Sequence, residues 1–276
     1  MSAFTPEDVR RLLDGGDPVA ALEAAADSWR AWLSSGELEA GRSVLAAVLA
    51  APGAEGPTAT RARVLYGDGL LAFRQGAQEE SRARNEEALR VARAAADPGA
   101  ESLALTGLSR VAFRDGDYAQ VRALAAQARA IARETGEREA ELAPLHMLAA
   151  GTRLGGDYAA ARELYEESIE LQRELGRESE HRGIAMEQHN LGWVELHLGD
   201  VDAAARRFAE RDAVDSQEAY DVAWRDVNAA ALAAARGDRE SAARLLVSGE
   251  AALTAMGMAL DPDDAFELDW LRGQLA

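Results

Sequence analysis

The sequence predicts an all-α fold of stacked antiparallel helix pairs, and three observations predict it. Glycine-centred turns recur at Gly36, Gly76, Gly116, Gly156, Gly199 and Gly237, spaced 40, 40, 40, 43 and 38 residues apart. A near-constant period over most of a chain marks repeated supersecondary units. Between the turns, apolar residues advance in steps of three and four, as Leu191, Val194 and Leu198 do in MEQHNLGWVELHL, which puts them on one helix face. The composition agrees: hydrophobic residues make up 48%, much of it alanine, while aromatics reach only 5%, a bias toward helix.

Taken in order, the elements are an N-terminal capping helix over 1–17, six helix pairs over 18–257 and a C-terminal capping helix over 258–276. Thr5 is placed to cap the first helix, with Pro6 in its first turn. Within each pair the glycine closes one helix in the left-handed region, and the Asp or Glu after it caps the next. Five residues past the glycine lie Gly41, Ser81, Ala161, Ala204 and Ala242, small enough to let the two helices approach; Val121 breaks the rule in the third pair. YAAARELYEESIELQRELG repeats the helical spacing with Leu164, Tyr165, Ile169 and Leu171. Pro144 falls in the first helix of the fourth pair, where it should kink that helix or move its start. ERDAVDSQEAYD, residues 210–221, is weaker in pattern and reads as a looser joint. In the closing helix Phe266 and Trp270 stand four apart on one face, suited to covering the last repeat.

Composition excludes several function classes. A formal net charge of −18 repels phosphate backbones, so direct nucleic-acid binding is not expected. No 18-residue apolar run predicts a membrane span. MSAFTPEDVRRLL has no apolar signal core, which makes the expected location cytoplasmic. The Ala, Arg and Glu bias fits a GC-rich bacterial genome. With no cysteine there is no thiol nucleophile or thiolate metal site. Phosphate-cradling glycine loops, HExxH and a serine nucleophile elbow are absent from the sequence, so no enzyme and no cofactor is expected. Glu166-Glu167 and Asp263-Asp264 read as solvated helix faces or caps. His189 and His197 are rotated about 80° apart on an ideal helix, too far for a compact ligand pair. His146 stands one repeat before His189, and two histidines without a third ligand do not make a metal site.

The Leu191-Gly192 pair followed by Gly199, Asp200, Ala204 and Phe208 resembles the tetratricopeptide repeat signature, and GGDYAAARELYEES at 155–168 resembles its second half. The resemblance covers nearly the whole chain, with the copies at Gly36 and Gly76 degenerate. The period exceeds the usual 34 residues by about six, as in the long-period repeat arrays that resemble this one on large actinobacterial ATPase transcription regulators. Their nucleotide-binding and DNA-binding domains have no counterpart here, leaving the sensing or docking part. The resemblance implies a right-handed tetratricopeptide-like superhelix.

It also implies a concave face, lined ten, six, three and two residues before each turn glycine. Those positions hold Tyr66, Phe73 and Arg74; Arg110, Phe113 and Arg114; His146 and Arg153; and His189, Trp193 and His197. No acidic residue falls in the set. The expected binding groove is therefore Tyr66, Arg74, Arg110, Arg114, His146, Arg153, His189, Trp193 and His197, suited to an acidic protein or peptide. For Phe73, Phe113 and Trp193, core packing and ligand contact both remain open. The expected function is a non-catalytic adaptor that docks a partner protein or peptide. The alternatives are a module sensing an anionic or aromatic small molecule and regulating a partner, and a homo-oligomeric scaffold built through Phe266 and Trp270.

Overall fold

The computed structural model describes residues 3–178, 181–214, 216, 218–256 and 260–276. Among them the chain is all-α, without a β-strand. After α1 (Pro6–Asp14) come the pairs α2 (Pro18–Ser35) with α3 (Leu38–Leu49), α4 (Ala59–Arg74) with α5 (Gln78–Ala94), and α6 (Pro98–Arg114) with α7 (Tyr118–Thr135). There follow α8 (Leu142–Leu154) with α9 (Tyr158–Glu174), α10 (Arg182–Leu198) with α11 (Val201–Asp212), and α12 (Ala219–Ala235) with α13 (Arg239–Ala255). The last helix is α14 (Pro262–Leu275). The chain divides into two compact units, unit 1 over Met1–Pro144 and unit 2 over Leu145–Ala276. The expected boundary at 257/258 and part of the expected joint over 210–221 lie outside the described residues.

The turns explain the helices. All six turn glycines adopt positive φ, between 76° and 88°, a region that costs a residue with a Cβ about 1–2 kcal/mol. In the last four turns the following aspartate caps the next helix: Asp117, Asp157, Asp200 and Asp238 accept from the backbone N–H groups of Gln120, Ala160, Ala203 and Ser241. The first two turns differ from expectation. Glu37 makes no side-chain capping bond, its longer carboxylate instead accepting from Ser35 Oγ at 2.8 Å, and Ala77 has nothing to cap with. Thr5 and Asp8 form a reciprocal capping box on α1. Pro144 stands in the first turn of α8, where its missing N–H is not needed, and a 3₁₀ turn over Arg138–Glu141 precedes it.

Small residues set the packing. Gly41, Ser81, Val121, Ala161, Ala204 and Ala242 are all buried, Val121 as fully as the rest. Gly67 backs onto the Trp29 ring, and Gly69 and Gly107 both face Asn85, leaving no room for a Cβ at any of the three. The core of unit 1 gathers Trp29, Trp32, Leu45, Val48, Leu65, Tyr66 and Leu71. Unit 2 has one cluster around Tyr165, Ile169, Leu191 and Val194, and another around Trp193, Phe208, Trp224, Val227, Leu268 and Leu271. Leu198, expected in the core, is exposed because it is the last helical residue before its turn. On α14 the buried face is Asp264, Glu267, Leu268 and Leu271, while Phe266 and Trp270 flank it half-buried.

Candidate docking faces

In unit 1 the first helices of successive pairs, α2, α4 and α6, carry a strip of arginines laid on aromatic rings. The Arg30 guanidinium lies 4.3 Å from the centre of the Trp29 ring, which meets Tyr66 edge-on at 5.5 Å. Arg110 Nη1 donates to the Tyr66 hydroxyl at 3.0 Å. Arg114 Nη1 donates to the Phe73 carbonyl at 2.6 Å while its guanidinium covers the Phe73 ring at 3.8 Å. Arg74 is exposed, and Arg110 and Arg114 are half-buried. A guanidinium over a ring face keeps its charge available at its outer edge.

The chain contains no lysine, and several second-helix arginines of unit 1 turn back onto carboxylates, whereas the exposed Arg90 on α5 does not. Arg42 and Arg84 close on the buried Asp68 at 3.2 and 2.7 Å, and Arg82 reaches Asp115 at 2.5 Å. Arg133 and Arg138 meet buried Glu141 at 2.9 and 3.1 Å. Among the described residues, Arg30, Arg74 and Arg110 form no ion pair.

The same positions of unit 2 are differently occupied. Arg153 is 1% exposed and pairs with Glu267 and, at 3.1 Å, with Asp263, both on α14. Burial opposes its charge, but Tyr165, Glu267 and Asp263 together hold its pKa above the ordinary arginine value. His197 Nε2 lies 2.8 Å from the other Glu267 oxygen, with its ring stacked on Tyr158 at 4.4 Å. Trp193 is fully buried: its indole N–H donates to Asn228 Oδ1 at 3.1 Å and its ring meets Trp270 edge-on at 6.0 Å. His189 is half-buried beside the same asparagine, 3.3 Å from Nδ2. Burial, then the charges of Arg211 and Arg153, hold the pKa of His189 well below the ordinary histidine value. His146 Nδ1 meets Glu187 at 3.0 Å, and Ser168 Oγ donates to that carboxylate at 2.7 Å. Each histidine thus has its own partner, and among the described residues no three His, Cys, Asp or Glu side chains form a metal-binding group.

Of the nine expected residues, the structure brings Tyr66, Arg110 and Arg114 into one aromatic–arginine strip with Arg74 at its edge, all in unit 1. In unit 2 it brings Arg153, Trp193 and His197 together beneath α14. Tyr66, Arg153 and Trp193 are buried in their units, and Phe73 and Phe113 are nearly so. Sequence reasoning missed the carboxylates of α14. Asp263 and Asp264 are not solvated caps: Asp263 pairs with Arg153, and buried Asp264 accepts from the Tyr220 hydroxyl at 2.8 Å. The signal was present, since Asp263, Glu267 and Trp270 are spaced four and three apart and recur on one face.

Residues 100–174, which span α6 to α9, match the family described as Tetratricopeptide repeat. The helix-pair arrangement of the described residues is tetratricopeptide-like. These residues form an all-helical scaffold of antiparallel helix pairs. Three solved structures are similar. A Rap protein complexed with competence and sporulation factor aligns at TM-score 0.65 and 14% identity, covering 97% of this chain and 78% of that one. BtubC (BKLC) from P. vanneervenii aligns at 0.59 and 18%, covering 92% and 94%. A tetratricopeptide repeat protein from Parabacteroides merdae aligns at 0.54 and 16%, covering 96% of each. At these identities the likeness is one of fold. No curated protein matches the sequence.

Proposed function

We propose that this tetratricopeptide-like scaffold docks an acidic partner protein or peptide on the arginine–aromatic strip of unit 1, with Tyr66, Arg74, Arg110 and Arg114 as contacts. The observation that carries the reading is the division of labour among the arginines. In a chain of net charge −18, Arg42, Arg82 and Arg84 are matched to carboxylates, while Arg30, Arg74 and Arg110 stand without one on a single set of first-helix positions. Fixed guanidinium groups suit bidentate carboxylate recognition. The match is local, because charges beyond about 8–10 Å are screened at physiological salt. On this reading the protein works in the bacterial cytoplasm as the docking part of a long-period array. No helix among the described residues is long and apolar enough to cross a membrane.

The second reading is a module sensing an anionic or aromatic small molecule. Arg110 favours it, because its bond to the Tyr66 hydroxyl presents one guanidinium in a fixed pose. Capture from the source lysate tests both. Arg30→Glu, Arg74→Glu and Arg110→Glu combined should reduce a specific captured protein by about tenfold or more, while Arg90→Glu, an exposed arginine on α5, leaves capture unchanged. Equal capture by both variants overturns the strip.

A further inference from the structure

We propose that the first-helix face of unit 2 is a second docking surface, for an acidic amphipathic helix of a partner, and that α14 is its intramolecular occupant, displaced when such a helix binds. The inference is independent of the strip on unit 1.

Three observations carry it. The first is the chemistry of the contact. A helix that merely capped the last pair would bury an apolar stripe. Instead α14 buries Asp264 and Glu267 alongside only two leucines, Leu268 and Leu271. Its carboxylates meet groups waiting on three different helices: Arg153 on α8, His197 on α10 and Tyr220 on α12.

The second is the isolation of Arg153. Among the described residues its ion pairs, with Asp263 and Glu267, are both with α14, and α9 supplies it with Tyr165. A buried guanidinium without an acid is costly. The face made by α8, α10 and α12 is therefore complete only when an acidic helix lies on it. When α14 leaves, Arg153 and His197 become solvated instead of remaining buried and unpaired, so leaving costs less than cutting a pair inside a fixed core.

The third is the crowding of acids on α14 itself. Burial and then the neighbouring Asp263 hold the Asp264 pKa well above the ordinary carboxylate value, with Asp261 adding to the effect. Docking buries Asp264 beside Asp263, so part of its gain is spent on desolvating that carboxylate next to a like charge. A partner helix with carboxylates at the Asp263 and Glu267 positions, an aromatic at the Trp270 position and a neutral residue at the Asp264 position would bind the face better than α14 does. Departure of α14 removes the Trp270 ring from the edge of Trp193, beside Arg153 and His197, and offers an aromatic anchor next to a guanidinium.

The test uses the full chain and a fluorescein-labelled peptide of residues 260–276, LDPDDAFELDWLRGQLA. Glu267→Arg sets an arginine against Arg153 and ejects α14 while the helix pairs stay intact. The peptide should bind this variant about tenfold or more tightly than it binds the unaltered protein, where α14 competes. A peptide carrying the same Glu267→Arg change should bind neither. Equal binding to both proteins, or none to a variant that has lost no more helicity than α14 contributes, overturns the proposal. Hydrogen exchange on the unaltered protein gives a second reading that needs no variant. Amides of 262–275 should exchange about tenfold or more faster than those of α10 and α12, and matching rates overturn displacement by showing α14 to be part of one cooperative core.

Discussion

Arg110 Nη1 donates to the Tyr66 hydroxyl at 3.0 Å, tying the first helix of one pair to the first helix of the pair before it. The bond fixes the guanidinium on a strip whose Arg30, Arg74 and Arg110 form no ion pair among the described residues. Tyr66→Phe removes the acceptor and keeps the ring, which is packed edge-on against Trp29. The substitution should lower the unfolding free energy by about 1 kcal/mol, read by urea denaturation, and weaken partner capture through the loosened Arg110. A variant that loses stability but captures fully would detach Arg110 from recognition.

Phe208 lies directly over Gly192, so a Cβ at that glycine would enter the ring. Gly192→Ala should destabilise unit 2 by about 1–3 kcal/mol through overpacking. Adding Phe208→Leu to it should return part of the loss, because the smaller side chain vacates the space. A double-mutant cycle by denaturant unfolding measures the coupling, and additive losses would separate the two positions.

Ala96 is the one non-glycine with positive φ among the described residues, at 52°. It stands 40 residues before Gly136, which is itself 40 before Gly176, and both adopt φ near 75°. Ala96→Gly relieves a left-handed strain of about 1–2 kcal/mol and adds about 0.5–1 kcal/mol of unfolded-chain entropy. The net expectation is a gain of about 0.5–1 kcal/mol, visible as a raised melting temperature. A lowered one would show that the alanine methyl makes a compensating contact.

Asp264 gives unit 2 a pH dependence of stated sign. It is packed against Tyr220 on α12, near Arg153 on α8, with Asp261 and Asp263 beside it on its own segment. Its folded pKa is raised, so the folded state holds its proton more tightly than the unfolded one. The stability this contributes is fully present below the ordinary carboxylate pKa of about 3.9 and is lost as pH rises through the folded value. Asp264→Asn stays neutral throughout. It should raise the melting temperature at about pH 8 and gain progressively less toward about pH 5. The same gain at both ends would deny the raised pKa.

The helix pairs were legible in the sequence because their causes are local. Gly199 with Asp200 specifies a left-handed turn and a cap within two residues, and the small residue at Ala204 sits at a fixed distance beyond. The occupancy of the faces was not legible, because its causes are remote in the chain. Arg74 and Arg153 look alike in sequence, each an arginine near the end of a first helix. One is exposed and the other is sealed under Glu267, 114 residues away. Asp68 was equally hidden: nothing in LYGDGLLAF announces that Arg42 and Arg84 close on it from α3 and α5. Charge in this protein is sorted by tertiary contact, and a net value of −18 does not say which arginines are left over.

The measurement that tests the central claim most directly is the native mass of the protein, isolated gently from its own source, alongside the Arg30→Glu, Arg74→Glu and Arg110→Glu triple variant. The account predicts an added polypeptide mass on the unaltered protein, rich in acidic residues on sequencing, that the triple variant lacks. The same polypeptide retained by the triple variant would contradict docking on the unit 1 strip, and a discrete small-molecule mass in its place would replace docking with ligand sensing.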